Sequence, residues 1–259
     1  MERLGNHYKK TGISIHALRT WGLLFLAAGI IGRGVIQNHI LGINGMDTQQ
    51  ILDVMGSSET AMNYATLAIA LQALETCAAP IFAILLVEGF LHTSDFIKYF
   101  TRVLGVTLLT EIPYNLCMGT GILDFSTRNP MFALVLGLLL MFFYQRHAAK
   151  GIKNLFIKIL VTIAALLWVK MLSIDYGTPM IVIIVTLWVS RNKGLYRNFI
   201  GASAAMACCI LNPYFLASPM SFLAVHMCNW EQTEENRAVN YLSYPGLLLL
   251  CFAVGKFLL

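Results

Sequence analysis

Charge is what this sequence has least of. Only 12% of its 259 residues are Asp, Glu, Lys or Arg, against about 25% in a typical soluble domain. With 58% hydrophobic residues, that scarcity excludes an ordinary soluble domain and points to the membrane class. The formal net charge of +5 matters less than where the charges fall, and no nucleic-acid partner is expected. Metal-binding spacing is also lacking. The six cysteines (Cys77, Cys117, Cys208, Cys209, Cys228 and Cys251) contain no CxxC pair, and most sit in apolar runs where a thiol acts as a small hydrophobe. Neither a metal site nor a disulfide framework is expected. No internal repeat and no low-complexity tract is visible, which weighs against a transporter built from two inverted halves. The opening "MERLGNHYKKTGISIHALRT" is polar and basic, with no small-residue cleavage site before residue 40. It reads as a retained cytoplasmic tail over 1–19.

What the chain does have is long apolar runs. About 20 apolar residues cross a bilayer as a helix. Eight candidate spans follow: about 20–41, 64–91, 96–117, 129–144, 155–173, 176–190, 198–217 and 241–259. The expected fold is therefore an all-α polytopic transmembrane bundle of about eight spans, with one domain over 20–259. The second run is long and holds Pro80, so a kink or break is expected there. Residues 42–60 form a polar loop with a short interfacial helix near 48–55. Residues 218–237 form a second long connection, whose apolar middle "MSFLAVHM" is too short to span.

Eight spans put both termini on one face. With the N-terminus inside, 14 of the 18 Lys and Arg side chains fall on the cytoplasmic side. The other four, Arg33, Arg128, Lys170 and Arg237, fall outside. The positive-inside rule favours this orientation.

An ionised group at membrane depth costs at least a few kcal/mol, so it normally faces a bundle interior or a wet cavity. Glu75, Glu88 and Glu111 all lie within spans two and three. Either each makes a helix–helix hydrogen bond, or the three mark a polar cavity between those spans. Glu88 and His92 are four apart and share a helix face. A carboxylate there orients an imidazole for general-base work, unless His92 simply ends the helix in water. Lys98 and Arg102, also four apart, offer a cationic face suited to phosphate, or snorkel to lipid head groups. Pro113 is expected to end or kink span three just after Glu111. Asp175 and Tyr176 lie at the outer mouth of span six, where Asp175 also suits a helix N-cap. Arg33 marks the outer end of span one.

Four stretches, in this order, resemble the TraX family. They are "APIFAILLVEGFLHTSDFIKYFTRVLGVTLLTEIPYNL" (79–116), "RNPMFALVLGLLLMFFY" (128–144), "DYGTPMIVIIVTLWV" (175–189) and "NYLSYPGLLLL" (240–250). These membrane proteins are related to multi-span acyltransferases that acetylate sugars, and the founding members are linked to N-acetylation of conjugative pilin. The resemblance implies a bundle in the bacterial inner membrane that takes acetyl-CoA from the cytoplasm. The acetyl group would pass to an acceptor at the outer face: a peptide amine, a glycan or a lipid. It implies that Lys98 and Arg102, with Gly89 and Thr93, meet the CoA donor. His92, Glu88, Glu111, Asp175 and Tyr176 would line the acyl path, with Tyr114, Asn115 and Tyr176 as candidate oxyanion donors. The chain departs from the family pattern at two places. Gly29 and Ile30 stand where an Asp-His pair is usual in span one, and Leu247 stands where the last span usually carries His.

Two functions remain open on the sequence. The first is an active membrane acyltransferase whose base has moved, with His92 supported by Glu88. The second is a non-catalytic scaffold or binding subunit for a peptide, a lipid or a partner membrane protein. A continuous polar passage from Lys98 and Arg102, past His92 and Glu88, to the outer face near Asp175 favours the first. Apolar side chains sealing the bundle around Ile30 and Leu247 favour the second.

Overall fold

A computed structural model describes residues 12–119, 121–122, 124, 126–149, 151–230 and 237–257, with side chains in the last stretch from 241 onward. Among these residues the chain forms helices and no strands. Three helical stretches are long and apolar enough to cross a membrane: Ile15–Ile40, Glu59–His92 and Ile152–Met171. The helices Met131–Arg146, Gly177–Val189 and Tyr241–Phe257 are apolar but shorter.

The first helix, α1 (Ile15–Ile30), begins inside the segment expected to be tail, because the Ser14 side chain accepts the Ala17 backbone N–H and caps it. It continues as a π-helical stretch, Ile31–Ile40. The polar loop carries α2 (Thr48–Gly56), closed by an Asp47–Gln50 capping box, in agreement with the short helix expected there. The long second run is two helices, α3 (Glu59–Glu75) and α4 (Ala78–His92). The break falls at Thr76–Cys77, so Pro80 sits in the first turn of α4, where a missing N–H costs nothing. Thr76 donates to the Tyr214 carbonyl at 3.0 Å and Cys77 to the Ala217 carbonyl at 3.2 Å.

Helix α5 (Phe96–Met118) passes through Pro113 and ends five residues later, so the proline does not stop it. Its last turn is held from outside the helix, by Tyr114 on Asp175 and Asn115 on the Ile122 carbonyl. Then follow α6 (Met131–Arg146), α7 (Ile152–Met171), α8 (Gly177–Val189) and α9 (Tyr196–Ala207). The main core packs α4, α6 and α8 through Ile81, Ile84, Leu138, Ile181, Ile184 and Leu187.

The seventh expected span does not reach the far end. After α9 the chain turns at Asn212, whose side chain caps a 3₁₀ stretch, Pro213–Met220, that leads into α10 (Ser221–Met227). This limb runs back along α9, with Ser218 donating to the Ala205 carbonyl. It ends beside the start of the first helix, where Ile13 donates to the Met227 carbonyl and accepts from Asn229. Residues 196–227 are thus a re-entrant hairpin, and "MSFLAVHM" is its returning limb. Pro213 and Pro219 prevent one continuous α-helix.

The last helix, α11 (Arg237–Phe257), therefore starts at the end of the bundle that holds residues 13 and 229. It finishes at the opposite end, with Gly255 packed on His39. Among the described residues, seven helical passages and one hairpin occupy the eight runs expected as spans, and residues 15 and 257 lie at opposite ends. The end bearing Lys98, Arg102, Arg146, Lys153, Arg191 and Lys193 is the basic end of the bundle. In a cysteine-free background, a membrane-impermeant maleimide is expected to label Met46→Cys and Lys256→Cys from the same face, and Lys193→Cys from the other. Labelling of positions 256 and 193 from one face would refute this topology. The segment 1–11, part of the expected tail, lies outside the described residues.

Candidate functional site

A cavity of about 1190 Å³ opens between α1, α4, α5, α6, α8 and α11. It is larger than the roughly 300–1,000 Å³ common for small-molecule sites. Its wall carries Glu88, Gly89, His92 and Arg102 towards the basic end, Arg19, Tyr99, Tyr241 and Trp230 around them, and Glu75, Tyr176 and Tyr244 at depth.

The expected mouth residues come together, with altered partners. His92 is 56% exposed, and its Nδ1 lies 2.8 Å from the Glu88 carbonyl and 3.7 Å from the Glu88 carboxylate. The closer partner of that carboxylate is Arg197 on α9, at 2.5 Å, whose guanidinium also lies over Trp230. Glu88 thus ties the hairpin to α4 first and attends His92 second. Gly89 allows close approach: a Cβ there would lie 2.6 Å from the Tyr99 hydroxyl. Arg102 reaches the cavity. Lys98 is not among the lining residues; it is 73% exposed and pairs with Asp95 at 3.1 Å. Asp95 lies between α4 and α5 and caps α5. The Lys98 backbone N–H and ammonium hold its carboxyl below the ordinary carboxylate range. Thr93 also falls outside the lining and hydrogen-bonds the Asp95 carbonyl at the turn.

Glu111 is likewise not a cavity residue. It accepts from Arg128 at 2.9 Å and from the Asn129 side chain at 2.6 Å, so it clamps the loop that opens α6. It is neither the cavity group nor the helix–helix contact open on the sequence, but a contact from a helix to a loop. Asp175 is no helix cap. It accepts from Arg33 at 2.5 Å and from the Tyr114 hydroxyl at 2.9 Å, just behind the cavity wall. Tyr114 and Asn115, candidate oxyanion donors on the sequence, are committed to Asp175 and the Ile122 carbonyl.

The deep end is built around a group that sequence spacing does not single out. Glu75 is only 4% exposed. Both of its oxygens accept from Arg33 Nη2, at 3.0 and 3.1 Å, and Oε2 also accepts from the Tyr176 hydroxyl at 3.3 Å. The Arg33 guanidinium lies 5.1 Å from the centre of the Tyr176 ring. Gly29 makes the arrangement possible: a Cβ there would overlap the Glu75 carboxylate. Two signals were readable beforehand, an ionisable group in an apolar run and a small residue in the first helix, but nothing in the spacing joins them. Arg19, read as a tail charge, and the aromatic residues Tyr99, Trp230, Tyr241 and Tyr244 are cavity residues that the sequence did not single out. Beyond Tyr244 the bundle is closed by Ile30, Val35, Cys117, Leu248 and Cys251, with Leu247 packed against them.

Among the described residues, fold and cavity define a helical bundle with three helices long and apolar enough to cross a membrane and a deep pocket, cationic near its mouth and anionic at its floor. The TraX protein family matches residues 45–254, and the chain belongs to that family. The match runs from the loop before α2 nearly to the end of α11, so α1 and its continuation, with Arg19, Gly29 and Arg33, precede it. No curated protein matches the chain. No solved structure matches it either.

Proposed function

We propose that the protein is a TraX-type acyltransferase of the bacterial inner membrane, with its basic end in the cytoplasm. It takes an acetyl group from acetyl-CoA at that end and passes it to an amine or hydroxyl acceptor, on a peptide, glycan or lipid, at the opposite face. The observation that carries this reading is the single cavity that joins Arg19 and Arg102 to Glu75 and Tyr176. Two guanidiniums at one level suit the diphosphate of CoA, because planar donor forks bind phosphate oxygens in pairs. Tyr99, Tyr241 and Trp230 provide aromatic surface for an adenine or a pantetheine chain. The size and charge of the cavity fit that donor.

The binding-subunit reading draws on a different observation. The apolar seal around Ile30 and Tyr244, with the Arg33 network behind it, closes the cavity before the far face. A donor site needs no opening there, but an acceptor does.

The test is acetyl-CoA binding and CoA release by the purified full-length protein. Each lost charge-assisted contact to phosphate is worth about 1.5–3 kcal/mol. Arg19→Ala and Arg102→Ala are each expected to weaken acetyl-CoA binding roughly 10–100-fold. If the native protein shows neither binding nor turnover, the acyltransferase reading fails and the binding subunit stands.

A further inference from the structure

We propose that Glu75, at the closed end of the cavity, is the proton-accepting catalytic residue of the transfer, and that His92 at the mouth is not. This rests on the acyl-transfer reading above.

Contacts between helices set the levels along the cavity. Gly22 faces Ile81 and Phe82, and Gly29 faces Glu75, so α1 and the α3–α4 run are antiparallel and in register. Gly89 faces Tyr99, which fixes α5 against α4 in the same way. By that ladder Arg19 and Arg102 lie at one height, near residues 85 and 86 of α4. His92 lies at least a turn beyond them towards the basic end, and Glu75 lies deeper. Arg19 and Gly29 are ten positions apart on one α-helix, which is about 15 Å at 1.5 Å per residue. A pantetheine arm has about a dozen bonds between diphosphate and sulfur, so extended it reaches roughly 16 Å. A diphosphate held at the two arginines therefore delivers its thioester to Glu75 and Tyr176. To reach His92 the arm would have to turn back out of the cavity.

The chemistry at that point is balanced by residues present. The acceptor, written X–H, loses its proton to Glu75 as X attacks the acetyl carbon. The C–S bond then breaks and the thiolate takes the proton from Glu75, giving acetyl-X and free CoA. A carboxylate offers about four lone-pair positions. Arg33 and Tyr176 occupy three here, so one remains for the incoming proton. Arg33 fixes the orientation of the carboxylate through hydrogen bonds to both of its oxygens. Arg33 is thus a positioning residue, itself held from behind by Asp175.

Water can stand in for the acceptor, so the test is acetyl-CoA hydrolysis by the full chain in lipid nanodiscs, read as thiol release, beside acetyl-CoA binding. Positioned proton transfer is commonly worth about 10²–10⁴ in rate. Glu75→Gln is expected to lower kcat at least 100-fold while acetyl-CoA affinity stays within about threefold. Glu75→Asp is expected to keep at least ten times the Glu75→Gln rate, which a purely structural role would not produce. Tyr176→Phe, which removes one hydroxyl, is expected to lose about tenfold and serves if Glu75→Gln does not fold. Hydrolysis by Glu75→Gln within threefold of native, unaffected hydrolysis by Tyr176→Phe, or a His92→Ala loss as large as that of Glu75→Gln would each overturn the assignment. A native protein that binds no acetyl-CoA would instead overturn the acyl-transfer reading on which the assignment rests.

Discussion

Arg33→Ala is expected to cost the fold about 3–5 kcal/mol, the usual penalty for breaking a buried ion pair from one side. Arg33 alone neutralises two carboxylates from distant parts of the chain, Glu75 on α3 and Asp175 before α8. Tyr114 and Tyr176 donate to the same two acids, but hydroxyls cannot balance their charge. Removing the guanidinium strands the buried Glu75 carboxylate and the partly buried Asp175 carboxylate, and the desolvation penalty then exceeds any gain from the smaller side chain. The measurement is reversible denaturant unfolding in detergent micelles, or the melting temperature where unfolding is irreversible. The triple variant Arg33→Ala, Glu75→Gln, Asp175→Asn should recover most of the loss, because the stranded charges, and not the empty volume, carry the cost. If the single variant matches native stability, or the triple variant is no better than the single, this account of the network fails. The contrast is Lys98→Ala, which breaks a pair whose members are 73% and 42% exposed. Water screens such a pair, and no measurable change is expected.

That network also marks the limit of what could be read from sequence. The apolar runs disclosed nearly every helix, because a membrane span needs a continuous apolar length that few other structures share. They did not disclose the hairpin. Residues 198–217 have the length and composition of a span, and only the turn at Asn212 and Pro213 sends them back. The charge tally offers no correction. Turning α11 over moves Arg237 to the basic end and Lys256 away from it, so the balance remains 14 against 4. A rule that counts Lys and Arg is blind to an exchange of one for the other.

The mouth was legible because it is local. Glu88, Gly89, His92 and Arg102 sit close together in the chain and all four line the cavity wall, three of them by their helical spacing on α4. The floor was not, because it is assembled across the chain. Arg33 and Asp175 are separated by 142 positions, and Arg33 and Glu75 by 42. No periodicity carries that information. Spacing also misassigned Lys98, whose exposed ammonium turns to the carboxylate that caps its own helix. It offered Glu111 a helix–helix hydrogen bond or a place in a cavity, whereas its carboxylate clamps Arg128 and Asn129 in the loop before α6.

Gly29→Ala is expected to show, by its dependence on one neighbour, that the bare backbone there exists to seat Glu75. A methyl at position 29 would overlap the carboxylate of Glu75 and its Cβ. Overpacking usually costs about 1–3 kcal/mol. Here the obstructing group cannot withdraw without releasing Arg33, so the upper part of that range is expected. In a Glu75→Ala background the obstruction is gone. The same methyl should then fit with little cost, giving a coupling between the two substitutions of about 2 kcal/mol. Residues without shared contacts would add within about 0.5 kcal/mol. A double-mutant cycle of unfolding free energies measures this, and simple additivity would show that Gly29 is small for another reason. The same variant also separates the two ends of the cavity. On the proposed acyltransferase reading, acetyl-CoA affinity rests on Arg102 and on Arg19, about 15 Å away along the helix, and should hold in Gly29→Ala. Thiol release should fall, because the carboxylate that takes the proton has been pushed off its arginine.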